Sequence, residues 1–350
     1  MNVYRRFKQS ASRFVKSALS EAAASSGIYR IAANKYGGVG VILTLHRVAT
    51  PGAPILYPGY LIHADVLDWI LGATRRMGWE IIDLDQMTRR LEQNDYPGRF
   101  ACFTIDDGYL DNLQVALPVF RKHRAPFAVY LCTGLLDRSV FYWWGGLDQL
   151  VRTNVHVEYL PPGASTPRVL PARTWEEKRR TYDTLDRLCH EAGPGPAQEL
   201  FTRYGIDARA VLDRDAMTID QAKDLAADPL VTIGAHCITH ERLSHMADAD
   251  SSREIRDGKQ TLERWLGVDV RHLAYPFGGP SACGQREATF AAEAGYRTAV
   301  TTRRGNIFPE HHCHLHLLPR RTVPTSRTAF RNTMSGVESF FRREPVFRTA

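Results

Sequence analysis

The feature that most constrains the fold of this chain is a repeated alternation of short apolar segments with amphipathic segments of helical period. Runs rich in β-branched and aromatic residues predict strands, and apolar residues three and four positions apart predict helices. Short connections between them favour parallel strands, either closed into a barrel or wound as an open sheet. The predicted strands are 39–45, 79–84, 100–105, 126–132, 230–234, 271–275 and 297–301, and the predicted helices include 65–77, 111–123, 218–227, 251–266 and 285–294.

The alternation is interrupted between about residues 141 and 215. This stretch opens with four aromatic residues, continues through several prolines and contains a charged helical segment at 175–190. We interpret it as an insertion over one face of the fold. Trp143 and Trp144 are interpreted either as anchors of the insertion to the core or as rings that stack on a sugar.

Positive charge is concentrated at the two ends of the chain. Residues 1–36 and 320–350 together carry more positive charge than the net charge of +7, so the residues between them are net acidic. This distribution argues against a nucleic-acid groove across the domain, and no nucleic-acid partner is expected. After Pro319 the sequence is basic and loosely patterned, and we expect partial disorder near its end. The expected regions are a basic N-terminal helical region at 1–36, a domain at 37–323 and a basic tail at 324–350.

Residues 3–19 place apolar side chains on one helical stripe and basic side chains off it. Such a helix either packs against the domain or contacts an anionic membrane through residues 1–20. The six cysteines show no paired spacing, which favours a reducing compartment. No apolar run of signal-peptide or membrane-spanning length is present. We therefore expect a cytoplasmic protein, with peripheral contact at the inner membrane face as the open alternative.

The predicted strand at 100–105 ends in two adjacent carboxylates, Asp106 and Asp107, followed by Gly108. The carboxyl ends of parallel strands are where catalytic groups collect. Two neighbouring carboxylates repel each other unless a cation or a proton intervenes, so the pair predicts a metal ligand beside a general base. A simple Asp-Gly turn is the competing interpretation.

Two histidines, His236 and His240, follow the predicted strand at 230–234. Imidazoles four residues apart can bind one metal if the segment is helical or turns tightly. With Asp107 they form an Asp-His-His set that leaves coordination positions open for water and substrate, as a catalytic zinc-type site requires.

Two further segments offer supporting groups. The Pro-Phe-Gly turn after the strand at 271–275 can present the backbone N–H of Phe277 to a developing oxyanion. The histidine-rich segment at 311–316 offers a general acid. An ordinary turn and a surface histidine cluster are the alternative interpretations.

Taken together, these segments resemble the polysaccharide deacetylase family, carbohydrate esterase family 4, also called the NodB homology domain. Residues 104–108, Thr-Ile-Asp-Asp-Gly, are similar to the family's Thr-Phe-Asp-Asp-Gly motif. Residues 236–240, His-Cys-Ile-Thr-His, are similar to its His-(Ser/Thr)-x-x-His motif. The phrases at 43–47, 217–220 and 229–236 are similar to the branch found among surface-polysaccharide and glycolipid biosynthesis proteins. The resemblance covers about residues 37–323 and implies a distorted (β/α)7 barrel, with the segment at 141–215 inserted after the third or fourth strand.

By position, the resemblance implies that Asp106 is the general base and that Phe277 supplies the oxyanion N–H. The implied metal ligands are Asp107, His236 and His240. One divalent ion is expected, with zinc preferred and nickel, cobalt or manganese as alternatives.

Two positions depart from the family pattern. The arginine that many members place at the start of the third motif is Ala274 here, and Arg320 is the residue expected to orient Asp106 instead. The late motif histidine matches His314 better than His316, which makes His314 the expected general acid.

The resemblance implies a metal-dependent hydrolase that removes N-acetyl groups from amino sugars of a polysaccharide or a lipid-linked glycan. The expected partner is an N-acetylated glycan or glycolipid. Hydrolysis of another amide, such as a formamide on a lipid-linked amino sugar, is an alternative, since such a site contacts only a small acyl group. A barrel that binds a glycan without cutting it is a further alternative, for which Ala274 is the supporting feature.

Overall fold

A computed structural model describes residues 33–56, 60–161, 163–337 and 339 of the chain. The predicted basic helix at 3–19 and most of the last thirteen residues lie outside this part. None of the helices in the part described is both long enough and apolar enough to cross a membrane.

Strands and helices alternate along the described chain. The strands are β1 (Gly40–Leu45), β2 (Arg47–Ala49), β3 (Leu61–His63), β4 (Glu80–Ile81), β5 (Phe100–Ile105), β6 (Phe127–Leu131), β7 (His156–Tyr159), β8 (Arg168–Pro171), β9 (Val231–Ala235), β10 (His272–Ala274), β11 (Thr298–Arg304) and β12 (Leu318–Thr322). The helices are α1 (Ala64–Arg76), α2 (Leu84–Gln93), α3 (Leu117–Lys122), α4 (Thr133–Leu136), α5 (Trp143–Thr153), α6 (Trp175–Ala192), α7 (Gly195–Tyr204), α8 (Ala208–Asp215), α9 (Ile219–Ala226), α10 (Asp248–Leu266), α11 (Gln285–Glu293) and α12 (Arg327–Ser335).

Seven parallel strands close into a barrel. Their ring order is β1, β5, β6, β9, β10, β11 and β12, and β12 returns to pair with β1. The pairing of β1 with β5 runs in register from Gly40 opposite Phe100 to Leu45 opposite Ile105. A register shift between β11 and β12 makes the ring irregular. The predicted distorted (β/α)7 barrel is therefore confirmed.

Alternate residues of the barrel strands pack on opposite sides of the sheet. Ile42 and Phe100 belong to a cluster with Tyr130 that fills the inside of the barrel. Leu43 and Phe103 pack outward into the larger cluster that the surrounding helices cover. Strands buried on both faces read as continuous apolar runs, which is why the central strands could be recognised from sequence.

The segment between β6 and β9 forms the insertion, after the third barrel strand as predicted. It consists of α5, the antiparallel hairpin of β7 and β8, and α6 to α8. Its own hydrophobic cluster includes Leu147, Leu185 and Phe201. The long helix α6 begins at a capping box in which the Thr174 hydroxyl and the Glu177 carboxylate each accept a backbone N–H of the other residue.

Two predicted elements differ from the structure. The strand expected at 79–84 is only β4, which pairs with β5 outside the barrel ring. Residues 318–322, for which the sequence predicts no strand, form β12 and close the barrel. The apolar pattern is hidden there because Arg320 and Arg321 are buried in the strand, at 1% and 3% exposure, and are satisfied by polar partners.

Candidate metal centre and active site

The two carboxylates after β5 lie at the carboxyl end of the barrel strands, and each contacts a different set of side chains. Asp106 is 1% exposed and Asp107 is 2% exposed. Asp107 has a positive φ of 77°, and Gly108 follows with a φ of 95°. This sharp turn after a buried strand separates two adjacent carboxylates that would otherwise repel each other.

Asp106 is paired with Arg320 from β12. The Nη1 atom of Arg320 donates to Oδ1 of Asp106 and its Nη2 atom donates to Oδ2, both at 2.7 Å. Nη1 also donates to the Thr104 hydroxyl at 3.1 Å, and Nε donates to the Thr301 carbonyl at 3.0 Å. Burial raises the pKa of Asp106, but the Arg320 guanidinium outweighs it and holds that pKa below its usual value. Asp106 therefore stays ionised in a fixed orientation.

Asp107 faces the two histidines that follow β9. Its Oδ1 atom lies 3.3 Å from Nε2 of His236 and 3.3 Å from Nε2 of His240. One ligand atom from each of the three residues lies within 4.8 Å of the others. Oδ1 of Asp107 is buried and has no hydrogen-bond partner among the described residues. An orphaned carboxylate oxygen between two imidazole nitrogens is the donor set that a divalent ion such as zinc requires, so these residues fit a metal.

Neighbouring groups orient these ligands. Nδ1 of His236 donates to the carbonyl of Ala274 at 2.6 Å, which leaves the Nε2 lone pair facing Asp107. The Tyr60 hydroxyl donates to Oδ2 of Asp107 at 3.2 Å. Burial raises the pKa of Asp107, yet His236 and His240 hold it well below its usual value. Ala274, which stands where many members of the resembled family have an arginine, thus contributes the carbonyl that orients His236.

The two histidines meet through a tight turn and not through a helix. Cys237 and His240 have positive φ angles of 59° and 58°. The Glu254 carboxylate, from α10, accepts the backbone N–H groups of Ile238 and Thr239 at 2.8 and 3.0 Å. Glu254 therefore holds the turn, a role that no feature of the sequence indicated.

A cavity of about 270 Å³ opens above this cluster. The barrel contributes the two carboxylates and the two histidines, and the insertion contributes residues from α5 and α6. Burial raises the pKa of Asp186 to about 6, while burial and then Arg242 lower the pKa of His190 to about 4. The residues from the insertion that line the cavity are Trp143, Trp144, Tyr182, Asp186 and His190.

Trp143 and Trp144 combine features of both interpretations. Nε1 of Trp144 donates to the Tyr109 hydroxyl at 2.9 Å, which anchors the insertion to the barrel. Both indole rings also line the cavity. They are therefore anchors whose remaining faces can contact a ligand.

His46 is a site residue that the sequence analysis missed. It follows β1 directly and lines the cavity, with Nε2 3.8 Å from Oδ2 of Asp106. Its ring stacks on Tyr60 with centroids 4.6 Å apart. Burial lowers the pKa of His46, although Asp107 and Asp106 oppose that effect. The signal was available, because His46 ends its strand as Asp106 ends β5.

His314 is not brought to this site. It precedes β12, so it lies near the amino end of the parallel strands, whereas the carboxylates lie at their carboxyl ends. Nε2 of the neighbouring His316 contacts the carbonyl of Tyr296, which also precedes its strand. The expectation that His314 is the general acid is therefore corrected.

Phe277 does lie at the cavity, in the turn after β10. It has a positive φ of 61°, and its carbonyl accepts from the Thr302 hydroxyl at 2.6 Å. Its ring packs 5.0 Å from the ring of His240. The predicted oxyanion donor therefore lies beside His240, one of the candidate metal ligands.

The polysaccharide deacetylase family model matches residues 198–299 of the chain. The match includes His236, His240 and Phe277 and ends within β11. Asp106, Asp107 and Arg320 lie outside it. No curated protein matches the chain significantly.

Several solved structures share the fold. The Streptococcus pyogenes deacetylase PplD in complex with acetate is 18% identical, with a TM-score of 0.53 over 87% of this chain and 98% of that chain. IcaB from Ammonifex degensii is 16% identical with a TM-score of 0.53 over the same shares. A de-N-acetylase from Aggregatibacter actinomycetemcomitans is 13% identical, with a TM-score of 0.52 over 84% of this chain and 99% of that chain. At these identities the likeness shows the common fold.

Proposed function

We propose that the chain is a member of the polysaccharide deacetylase family, whose model matches residues 198–299, and that it is a metal-dependent hydrolase that removes N-acetyl groups from amino sugars of a glycan. The family assignment places it among hydrolases of carbon–nitrogen bonds other than peptide bonds. One observation carries the proposal. The Asp106–Arg320 pair lies beside the Asp107, His236 and His240 set at the floor of a single cavity.

Asp107, His236 and His240 would hold the ion. A divalent ion bound there supplies Lewis acidity, which polarises an acyl oxygen and makes a water molecule more acidic. Carboxylate and imidazole donors suit zinc, nickel, cobalt and manganese, and zinc is our preferred assignment.

Asp106 acts as the general base. Its bidentate contact with Arg320 keeps the carboxylate ionised and fixes its plane, so that it can take a proton from the attacking water. The water oxygen adds to the acyl carbon, and the backbone N–H of Phe277 donates to the oxyanion that forms. These roles follow the positions at which the residues line the cavity.

The departing amine needs a proton because an amide anion is a poor leaving group. We assign this proton donor to His46 in place of His314, since Nε2 of His46 faces the cavity near Oδ2 of Asp106. The carbon–nitrogen bond breaks, the proton passes to the nitrogen, and the products are acetate and a free amino sugar. Because burial lowers the pKa of His46, its imidazole starts neutral: it receives the proton that Asp106 takes from water, across 3.8 Å, and passes that proton on to the departing nitrogen.

The finer proposal concerns the substrate. A lipid-linked glycan is supported by the basic residues of segment 1–20, which would attract the chain to an anionic membrane surface. Vesicle sedimentation with phosphatidylserine, compared with neutral vesicles, tests this point separately from the chemistry.

The test of the activity compares Asp106→Asn with His236→Ala after zinc loading and dialysis. We expect Asp106→Asn to keep about one metal per chain and to lose acetate release by a factor of about 10³. His236→Ala should lose both metal and activity, whereas the exposed Asp220→Asn should change neither. Equal metal loss in the two site variants would refute the division of roles, and absence of metal from the wild-type protein would refute the hydrolase.

A further inference from the structure

Five aromatic side chains form a closed ring of contacts at one side of the cavity, which we call the aromatic wall. Its members in order are Trp143, Trp144, His240, Phe277 and His190. The centroid distances between successive rings are 5.6, 5.0, 5.0, 5.1 and 4.9 Å, the last joining His190 back to Trp143. Contacts of this length are ordinary edge and offset packing, so the wall has no gap between its members.

The aromatic wall joins two parts of the chain. Trp143, Trp144 and His190 belong to the insertion, whereas His240 and Phe277 belong to the turns after β9 and β10. The contact between His190 and Phe277 thus crosses from α6 to the barrel. The insertion therefore supplies three of the five side chains that form one side of the cavity.

The wall separates two cavities. The larger, of about 270 Å³, contains the carboxylates and histidines. The smaller, of about 80 Å³, lies on the other side and is lined by polar residues that include Arg242 and His245. Four wall residues line both cavities, namely Trp143, His190, His240 and Phe277. These shared side chains therefore lie between the two cavities.

The insertion that carries the wall is fastened to the barrel by polar contacts. Asp215, at the end of α8, accepts from Nη1 of Arg47 of β2 at 3.3 Å. Nε1 of Trp144 donates to the Tyr109 hydroxyl at 2.9 Å. These partly buried hydrogen bonds between the insertion and the barrel favour one arrangement of the two parts. The wall is therefore a fixed boundary.

Size and closure together restrict the substrate. Sites for drug-sized ligands occupy about 300 to 1,000 Å³, so the larger cavity, of about 270 Å³, lies at the small end of this range and matches one sugar unit. On the basis of the proposed function, we infer that the site takes the N-acetylated amino sugar at the end of a glycan, or a single glycosidically linked sugar, and excludes internal units of a polymer. The glycan can extend only away from the aromatic wall.

The test uses zinc-loaded protein with methyl N-acetylglucosaminide and chitopentaose, and the deacetylated positions are read by tandem mass spectrometry. We expect acetate from the glycoside and from an end unit of the pentasaccharide, with internal units slower by about tenfold or more. Internal deacetylation at an equal or higher rate would overturn the inference and leave the proposed function intact. Metal-loaded protein that releases acetate from neither probe would overturn the proposed function, and this inference with it.

A second experiment removes one side chain of the aromatic wall. His190→Ala should join the two cavities and raise the ratio of internal to end-unit deacetylation by about tenfold. The matched control is His156→Ala, an exposed histidine at the start of β7 in the same insertion, which should leave the ratio unchanged. An unchanged ratio in His190→Ala, with the thermal unfolding temperature retained, would contradict the role of the wall.

A binding measurement tests the same inference with the aromatic wall unchanged. Saturation-transfer difference NMR of chitopentaose with Asp106→Asn should show contact concentrated on one end unit. Uniform transfer along the pentasaccharide would overturn the inference.

Discussion

The barrel side and the insertion side of the cavity are built from different interactions. On the barrel side, Asp106, Asp107 and His236 are each at most 2% exposed and are held by charged partners or a backbone carbonyl. On the insertion side, Trp143 and His190 are only partly buried and contact their neighbours through ring faces and edges. The first arrangement fixes charges for chemistry, and the second shapes the space in which a ligand fits.

This difference predicts unequal responses to mutation. Removing one partner of a buried ion pair leaves an uncompensated charge and costs about 3 to 5 kcal/mol. An aromatic pair contributes about 0.5 to 1.5 kcal/mol beyond its buried area. Changes on the barrel side should therefore reduce stability and activity together, while changes in the insertion should alter selectivity more than stability.

The largest effect is expected for Arg320→Leu. This change leaves the Asp106 carboxylate buried without its charged partner, so we expect the free energy of unfolding to fall by about 3 to 5 kcal/mol. Acetate release should also be lost, because the general base is no longer oriented. Urea unfolding and an acetate assay measure the two effects, and Arg209→Ala, an exposed pair with Asp213, should cost less than about 1 kcal/mol.

The pH dependence of that loss distinguishes charge from packing. In the wild-type protein Arg320 lowers the pKa of Asp106, so the stabilisation is present at neutral pH and is lost only as the pH falls through that lowered value. In the variant the lowering effect of Arg320 is gone, while burial still raises the pKa of Asp106 and His236 and His46 still lower it, so that pKa is higher than in the wild type. The difference in the free energy of unfolding between the wild type and Arg320→Leu should therefore become smaller as the pH is lowered from 7 to about 5. A difference that does not change with pH would indicate lost packing instead.

A smaller effect is expected where the insertion is fastened to the barrel. Nε of Arg47 donates to Asp111 at 2.7 Å, and Nη1 donates to Asp215 of the insertion at 3.3 Å. Arg47→Met should lower the free energy of unfolding by about 2 kcal/mol, since hydrogen bonds to charged groups are lost. Limited proteolysis within 141–215 should become faster.

Arg203→Ala is the matched control for that change. Arg203 pairs with Glu158 inside the insertion, and both side chains are largely exposed. Its removal should leave proteolysis unchanged. Equal resistance of Arg47→Met and the control to the protease would show that Arg47 does not help to hold the insertion on the barrel.

The same contrast explains what the sequence predicted. Asp106 and His236 directly follow buried apolar strands, so the period of the sequence placed them at one edge of the barrel. His314 was assigned by its motif, but it precedes β12 and lies at the opposite end. His46 obeys the rule that found Asp106 and could have been identified by it. The position relative to the strand therefore predicts better than the motif which histidine lies at the cavity.

Two features could not be predicted from local pattern. The sequence does not reveal β12 because two buried arginines break its apolar run. Their partners, Asp106 and Asn306, lie elsewhere in the sequence, so no local pattern shows that the arginines are paired. The aromatic wall depends on how α6 docks on the barrel, which brings His190 to Phe277 across many intervening residues. Such contacts are set by tertiary packing and leave no periodic signal.

The smallest effect tests whether the barrel side is held by its charges alone. The Tyr60 hydroxyl donates to Oδ2 of Asp107 at 3.2 Å and also contacts the Tyr109 hydroxyl. Groups that orient a ligating carboxylate typically change metal affinity by about 10 to 100-fold, so Tyr60→Phe should weaken zinc binding by about tenfold. Competition with a chromophoric chelator measures this, and Tyr204→Phe, whose hydroxyl accepts the Glu158 N–H in the insertion, should bind zinc as the wild type does. Unchanged affinity in Tyr60→Phe would mean that the two histidines position Asp107 without help from the neutral side chains around them.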